Sequence, residues 1–289
     1  MKKNVLFFIV ILLSVSCIGC DAQKPNIPLE SYVKVDGSTV TIPLSEMLAA
    51  AITGESLETV RPHILHNKTH NAYVNLIDGK ADLIFVTSPS EEELAYAKEQ
   101  DVSLVITPIV SEAFVFLTHT DNPVDNLSFE ELQKIYTGEI TNWSEVGGPN
   151  LKIAAYQRPV NSGSQTGFLD LVMQDKTPAT PPMEHIHAGM GDLIDAVASY
   201  ENQPDAIGYS YYYFVVDMWG NTSVKLLKID TVYPDKKTIA SGDYPITTSY
   251  YAVYRENTPK SSPIYEIVDW LLTEEGQDLM EAAGYVQLD

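Results

Sequence analysis

The sequence predicts an α/β fold, with helices on both faces of a mostly parallel sheet. Three observations carry that prediction. Short apolar runs of strand length alternate with segments of helical periodicity through the first hundred residues. The turns from strand to helix are rich in Gly, Ser and Thr, on the side of such sheets where ligands gather. Finally, 289 residues, 45% of them hydrophobic and 20% charged, suit a soluble chain folded as one large domain or two lobes.

Residues 1–20 read as a leader rather than as part of the fold. Lys2 and Lys3 form a positive start, and Val5 to Val15 is an apolar run too short to span a bilayer. Ile18-Gly19-Cys20 has the form of a lipobox end, which makes Cys20 the expected lipidation site, with Cys17 the second candidate and simple cleavage the alternative. Both cysteines lie in the leader, so the remaining chain has no disulfide and no cysteine metal site. Residues 21–30 read as a tether.

The folded part opens with a strand at Tyr32–Val35, a loop Asp36-Gly37-Ser38-Thr39, and a helix carried by Leu44, Met47, Leu48, Ala51 and Ile52 up to Gly54. A second helix starts near Thr69 and runs through Ala72, Tyr73, Leu76 and Ile77. Ala81 to Thr87 reads as a buried strand, followed by a helix with a capping box at Ser90 and Glu93. Strands are expected near Val102–Thr107 and Ala113–Thr118. A further capping box, Ser128 with Glu131, opens a helix ending near Tyr136, flanked by Leu127 and Leu132 as a hydrophobic staple. Later elements are a strand at Leu151–Ala155, a helix through Leu193, Ile194 and Val197, strands at Ala206–Tyr209 and Thr248–Tyr254, and a closing helix from Ile264 to Met280. The many tyrosines read as core and interlobe surface rather than as a ligand platform.

The chemistry concentrates in Arg158-Pro159-Val160-Asn161-Ser162-Gly163-Ser164-Gln165-Thr166-Gly167-Phe168, a polar loop between the 151–155 strand and a helical run. A helix start offers unpaired N–H groups and the positive end of its dipole to an anion. Ser162, Ser164 and Thr166 add hydroxyls, and Arg158 supplies full charge. Alone, this stretch reads as an ordinary N-cap and turn; its recurrence at Ser38-Thr39 and near Thr69 favours an anion site. The chain carries 18 basic and 39 acidic residues, and without the leader's two lysines its net charge is −23. That excludes nucleic acid and anionic membrane surfaces as partners, but not a small anion in a cleft. A hydrolase is not favoured, because Gly163-Ser164-Gln165-Thr166-Gly167 lacks the Gly-x-Ser-x-Gly spacing. A metal receptor using His63, His66 and His70, or His185 with His187, is not favoured either, since the helix begins after His63 and His66. No cofactor is called for.

Four stretches together resemble the phosphate-binding lipoproteins of ABC importers, within the two-lobed periplasmic-binding-protein superfamily. They are Asp36-Gly37-Ser38-Thr39, Leu127–Leu132 through Ile140-Thr141-Asn142-Trp143, Ser162–Thr166, and Ala206-Ile207-Gly208-Tyr209. Glu274-Glu275-Gly276-Gln277 and Ala283-Gly284-Tyr285-Val286 fit the same family's last helix, so the likeness spans nearly the whole chain after the leader. It implies a type II fold with a ligand cleft between lobes, lobe 1 being 31–115 plus 250–289 and lobe 2 being 116–249. It further implies a monomer, lipid-anchored outside the cytoplasmic membrane of a bacterium, that captures inorganic phosphate without chemistry and presents it to an ABC permease. The residues matched to the family's oxyanion grip are Ser38, Thr39, Thr69, Thr87, Arg158, Ser162, Gly163, Ser164, Gln165 and Thr166, with the Gln165 N–H expected to be available. Arg158 stands two residues further upstream than the family spacing, and Gln165 replaces a usual glycine. Many of the family's phosphate binders place an aspartate where this chain has Thr87. A threonine can donate or accept, so sulfate or another oxyanion, and a tethered sensor of the same fold, stay open beside phosphate.

Overall fold

The computed structural model describes residues 22–199 and 204–288. The expected leader, with Cys17 and Cys20, lies outside the described residues. Among those described, no helix is long and apolar enough to cross a membrane.

The chain enters the sheet through strand β1 (Val35–Gly37), later than the Tyr32 run predicts, because its partner β2 (Leu83–Val86) offers ladder positions only from Leu83. Between them lie α1 (Ile42–Thr53), the single turn α2 (Leu57–Val60) and α3 (Lys68–Ile77). Gly54 ends α1 in the left-handed conformation, φ 72°, that a residue without Cβ takes freely. Helix α4 (Glu91–Glu99) starts at the expected Ser90–Glu93 capping box, both reciprocal bonds being formed.

The two strands expected at 102–107 and 113–118 are one strand, β3 (Leu104–His119). Pro108 has no N–H to give and the register slips between Pro108 and Val110, but the ladder to β9 (Thr247–Arg255) resumes on the far side. The middle of the chain supplies β4 (Asn126–Leu127), α5 (Phe129–Thr137) behind the Ser128–Glu131 capping box, β5 (Ala154–Ala155), α6 (Gly163–Gly167) and α7 (Met190–Ala198). It then forms β6 (Ala206–Tyr211), β7 (Val224–Leu226), β8 (Lys228–Ile229) and α8 (Lys236–Ala240). Two π-helical turns follow, Phe168–Met173 continuing α6 and Phe214–Trp219 coming shortly after β6. The closing helix is two helices, α9 (Ile264–Leu271) and α10 (Glu274–Ala282), because Thr273 caps a new start by accepting the Gly276 N–H at 3.2 Å.

The main sheet has seven strands in the order β1-β2-β9-β3-β6-β5, with β7 also on β3, and a second small sheet pairs β4 with β8. It is mixed rather than mostly parallel. The pairs β1/β2, β5/β6 and β4/β8 run parallel, while β9 and β3 lie antiparallel to their neighbours. The β-α-β-α order implied parallel neighbours, but β9, from late in the chain, is inserted antiparallel between β2 and β3 and separates the strands that α4 connects. One large core runs through both ends of this sheet. In the second half it is dominated by aromatic rings. Phe168, the first residue after α6, stacks on Tyr209 of β6 at 4.6 Å and 4°, and both meet Tyr136. That stack pins the polar loop preceding Phe168 to the sheet, where close-packed rings of this size fix position well.

Candidate functional site

At the carboxyl ends of β1 and β2, opposite α6, the chain forms a cavity of about 710 Å³ that is partly open to solvent. Its first wall is built from two helix starts tied together by one buried carboxylate. Asp36, fully buried, accepts the N–H groups of Gly37 at 2.7 Å and Asn67 at 2.9 Å, and the side-chain amides of Asn67 at 2.8 Å and Asn75 at 2.7 Å. The Ser38-Thr39-Val40 turn and the Lys68–Asn71 turn of α3 are thereby held side by side, and both line the cavity. N–H groups of a first helical turn have no acceptor within their own helix, so each turn presents donors. Lys68 adopts φ 69°, a left-handed conformation that costs a residue with a Cβ and is kept where the surroundings enforce it. Thr69 and Thr87, both buried, stand with their hydroxyls 3.4 Å apart, and the Thr87 carbonyl accepts the Tyr73 hydroxyl at 2.9 Å.

The opposite wall is the Arg158–Ser164 segment. Arg158 is 8% exposed; its guanidinium donates to Ser164 Oγ at 3.2 Å and to the Ala188 carbonyl at 2.9 Å, while its Nε has no partner. Burial lowers its pKa, with Tyr209 and Asp192 acting in the other direction; an arginine so placed keeps its charge at neutral pH. Asp192 also lines the cavity, but its carboxylate accepts the Gly189 N–H at 2.8 Å. Ser162 caps α6, accepting the Gln165 N–H at 3.3 Å.

Of the residues singled out in the sequence, Ser38, Thr39, Thr69, Thr87, Arg158, Ser162, Gly163 and Ser164 all line this one cavity. Gln165 and Thr166 do not. The N–H groups of both are bonded to the Ser162 carbonyl, at 2.8 and 3.0 Å, so the Gln165 N–H is not available as expected. The Gln165 side chain turns inward to the Tyr209 hydroxyl and the Arg158 N–H, holding the loop from behind. The histidines do not gather: His66 bonds Ser45, His70 lines the cavity but pairs with the buried Glu93, and His185 and His187 flank Tyr156. Among the described residues no group of three or more metal-type side chains could hold an ion.

Sequence reasoning missed four parts of the site. Asp36 was read only as a loop residue. Tyr211 lines the cavity and donates its hydroxyl to the Gly163 carbonyl at 2.9 Å. Gly163 touches the far wall: a Cβ there would lie 2.4 Å from Thr69 Oγ1 and 2.6 Å from Thr87 Oγ1. At the rim, Asn161, with φ 64°, hydrogen-bonds Glu92 at the start of α4. Beside these, and apart from the oxyanion donors, the cavity has an apolar side formed by Met190, Phe214, Met218 and Trp219. Its residues come from elements whose meeting no local pattern announces.

Comparison with known proteins gives a concordant result. A family model described as a PBP superfamily domain matches residues 23–275. The phosphate-binding protein PstS of Borreliella burgdorferi is 25% identical over 297 residues, spanning 99% of both chains. PstS of Staphylococcus haemolyticus is 28% identical over 271 residues, 89% of this chain and 81% of its own. A Clostridium perfringens substrate-binding protein, assigned to a phosphate ABC transporter and solved with bound phosphate, superposes with a TM-score of 0.69 at 26% identity, over 89% of this chain and 99% of that one.

Proposed function

The chain belongs to the PBP superfamily, and we propose that it is an extracytoplasmic receptor that captures inorganic phosphate in the cleft between its two lobes and delivers it to an ABC importer. The observation that carries this reading is Arg158: a buried guanidinium with an unpartnered Nε at a cavity ringed by Ser38, Thr39, Thr69, Thr87 and Ser164. A buried charge with no direct ion pair is costly, and an oxyanion held by charge-assisted hydrogen bonds would supply what it lacks. The partner closest to each candidate nucleophile is a donor rather than a base, Gln165 N–H for Ser162 and the Arg158 guanidinium for Ser164, which fits binding without chemistry. The phosphate named for the relatives, at similar length and fold, supports the same substrate.

In this reading lobe 1 comprises 31–115 plus 250–289 and lobe 2 comprises 116–249. The switch of β3 from pairing β9 to pairing β6, at Ala113 and Phe114, marks the crossing between them. Ser38, Thr39, Thr69 and Thr87 grip from one lobe and Arg158, Ser162, Gly163 and Ser164 from the other, so a bound anion favours the closed state. Gln165 and Thr166 act through the loop rather than by touching the ligand. Residues 1–20 would direct export, Cys20 would carry the lipid anchor and residues 21–30 the tether, with the receptor working as a monomer beside its permease.

Calorimetric titration with phosphate and, separately, sulfate, on protein freed of carried-over anion, tests the assignment. Heat from phosphate and none from sulfate is the expected result, with Thr87 acting as an acceptor toward a protonated phosphate oxygen. Sulfate binding more tightly would move the substrate, and no heat from either anion would overturn the oxyanion reading.

A further inference from the structure

The cavity is larger than a bare phosphate needs. Five heavy atoms fill the space of a few waters, each about 30 Å³, whereas about 710 Å³ is available and cavities of that order house small organic ligands. The surplus lies beside an apolar wall made by Met190, Phe214, Met218 and Trp219. This wall is built rather than incidental. The Trp219 indole donates to Asp195 Oδ1 at 2.9 Å and lies against Phe214, with ring centroids 5.7 Å apart and planes at 22°. It also rests directly on Gly191, where a Cβ would come within 2.2 Å of the ring. The two methionines supply adaptable thioether surface beside it.

Nor is the surplus simply a gap between separated lobes, although Trp219, 43% exposed, stands at the open side. The two lobes already meet where Gly163 abuts Thr69 and Thr87 and where Asn161 bonds Glu92. Met190, Phe214, Met218 and Trp219 all belong to one lobe, so lobe closure alone does not dismantle the wall.

Resting on the oxyanion reading above, we propose that the cleft also takes monosubstituted phosphoryl compounds, phosphate monoesters or phosphonates with a small alkyl or aryl group. The phosphoryl oxygens would occupy the Arg158 and hydroxyl donors, and the substituent would lie on the Met190–Phe214–Met218–Trp219 wall. Burying such a group removes apolar surface from water on both sides, which an inorganic anion cannot do.

The experiment is calorimetric titration of the anion-free full chain with inorganic phosphate and with phenylphosphonate, repeated on Trp219→Ala and Met218→Ala, with melting curves to establish that each variant folds. Phenylphosphonate should bind with a Kd within about tenfold of the phosphate value. Each substitution should weaken phenylphosphonate several-fold or more while leaving phosphate within twofold; Met218→Ala keeps the test decisive if Trp219→Ala fails to fold. Phosphate binding with no phenylphosphonate binding overturns the proposal and leaves the oxyanion reading standing. Equal weakening of both ligands, or none, overturns it as well. If neither compound binds wild type, both readings fall together.

Discussion

Arg158 and Gly163 meet the same cavity with opposite requirements, one for charge and one for the lack of a side chain. Hydrogen bonds to a charged group contribute roughly 1.5–3 kcal/mol each, so Arg158→Ala should weaken phosphate binding at least about a hundredfold in calorimetry while the melting temperature stays close to wild type. Gly163→Ala places a methyl group within 2.6 Å of two threonine hydroxyls across the cleft. It should hold the lobes apart, lowering affinity about tenfold or more with the circular-dichroism spectrum unchanged; wild-type affinity would show that the lobes can close without that contact. Asp36 belongs to a different class. Its loss strands four donors in or near the core, so Asp36→Ala should cost about 2–4 kcal/mol in denaturant unfolding. The lining residues Ser38, Thr69 and Arg158 could be picked out of the sequence because donor-rich residues stood at strand-to-helix junctions, and Thr87 only through the family resemblance. Asp36 and Tyr211 could not, because each acts by joining loops far apart in the chain. Gln165 misled for a related reason: its N–H is consumed by the turn that Ser162 caps.

Among the elements, capping boxes were the most legible, since Ser90–Glu93 and Ser128–Glu131 are wholly local devices. Ser128→Ala should lower stability by about 1 kcal/mol, read from the urea midpoint. Strand β3 was the least legible. Its middle carries Pro108 and the polar pair Ser111-Glu112, which suggest a break, and only the partner strand β9 keeps it continuous. Glu112 is buried there, accepting the Ala113 N–H at 2.8 Å and the Tyr213 N–H at 3.3 Å. Burial raises its carboxyl from 4.5 to about 7, the hydrogen bonds opposing the shift. The folded chain therefore holds this proton more tightly than the unfolded one. Stability from this group is greatest below pH 4.5, declines between 4.5 and 7, and is lower by up to about 3 kcal/mol above that range. Glu112→Gln should flatten the fall in melting temperature between pH 5 and 8, and an unaltered slope would assign that fall to other groups.

For the molecule as a whole, a ligand that binds only the folded cleft stabilises it by mass action. Phosphate at a hundred times its Kd should add about 2.7 kcal/mol and raise the melting temperature by several degrees, an increment that Arg158→Ala should abolish. The α/β class was legible because alternating apolar runs and helical periods survive any tertiary context. Strand direction was not, because β9, which separates β2 from β3, is written more than a hundred residues after either neighbour. That separation also sets a timetable. When the chain emerges from the ribosome, β2 waits for residues 251–254 to be made before it gains its second neighbour, a delay on the order of ten seconds or more at 5–20 residues per second. During it the apolar face of the early strands has no finished sheet to join. The central sheet is thus completed only when β9 has been made, and until then the early strands stay accessible to chaperones.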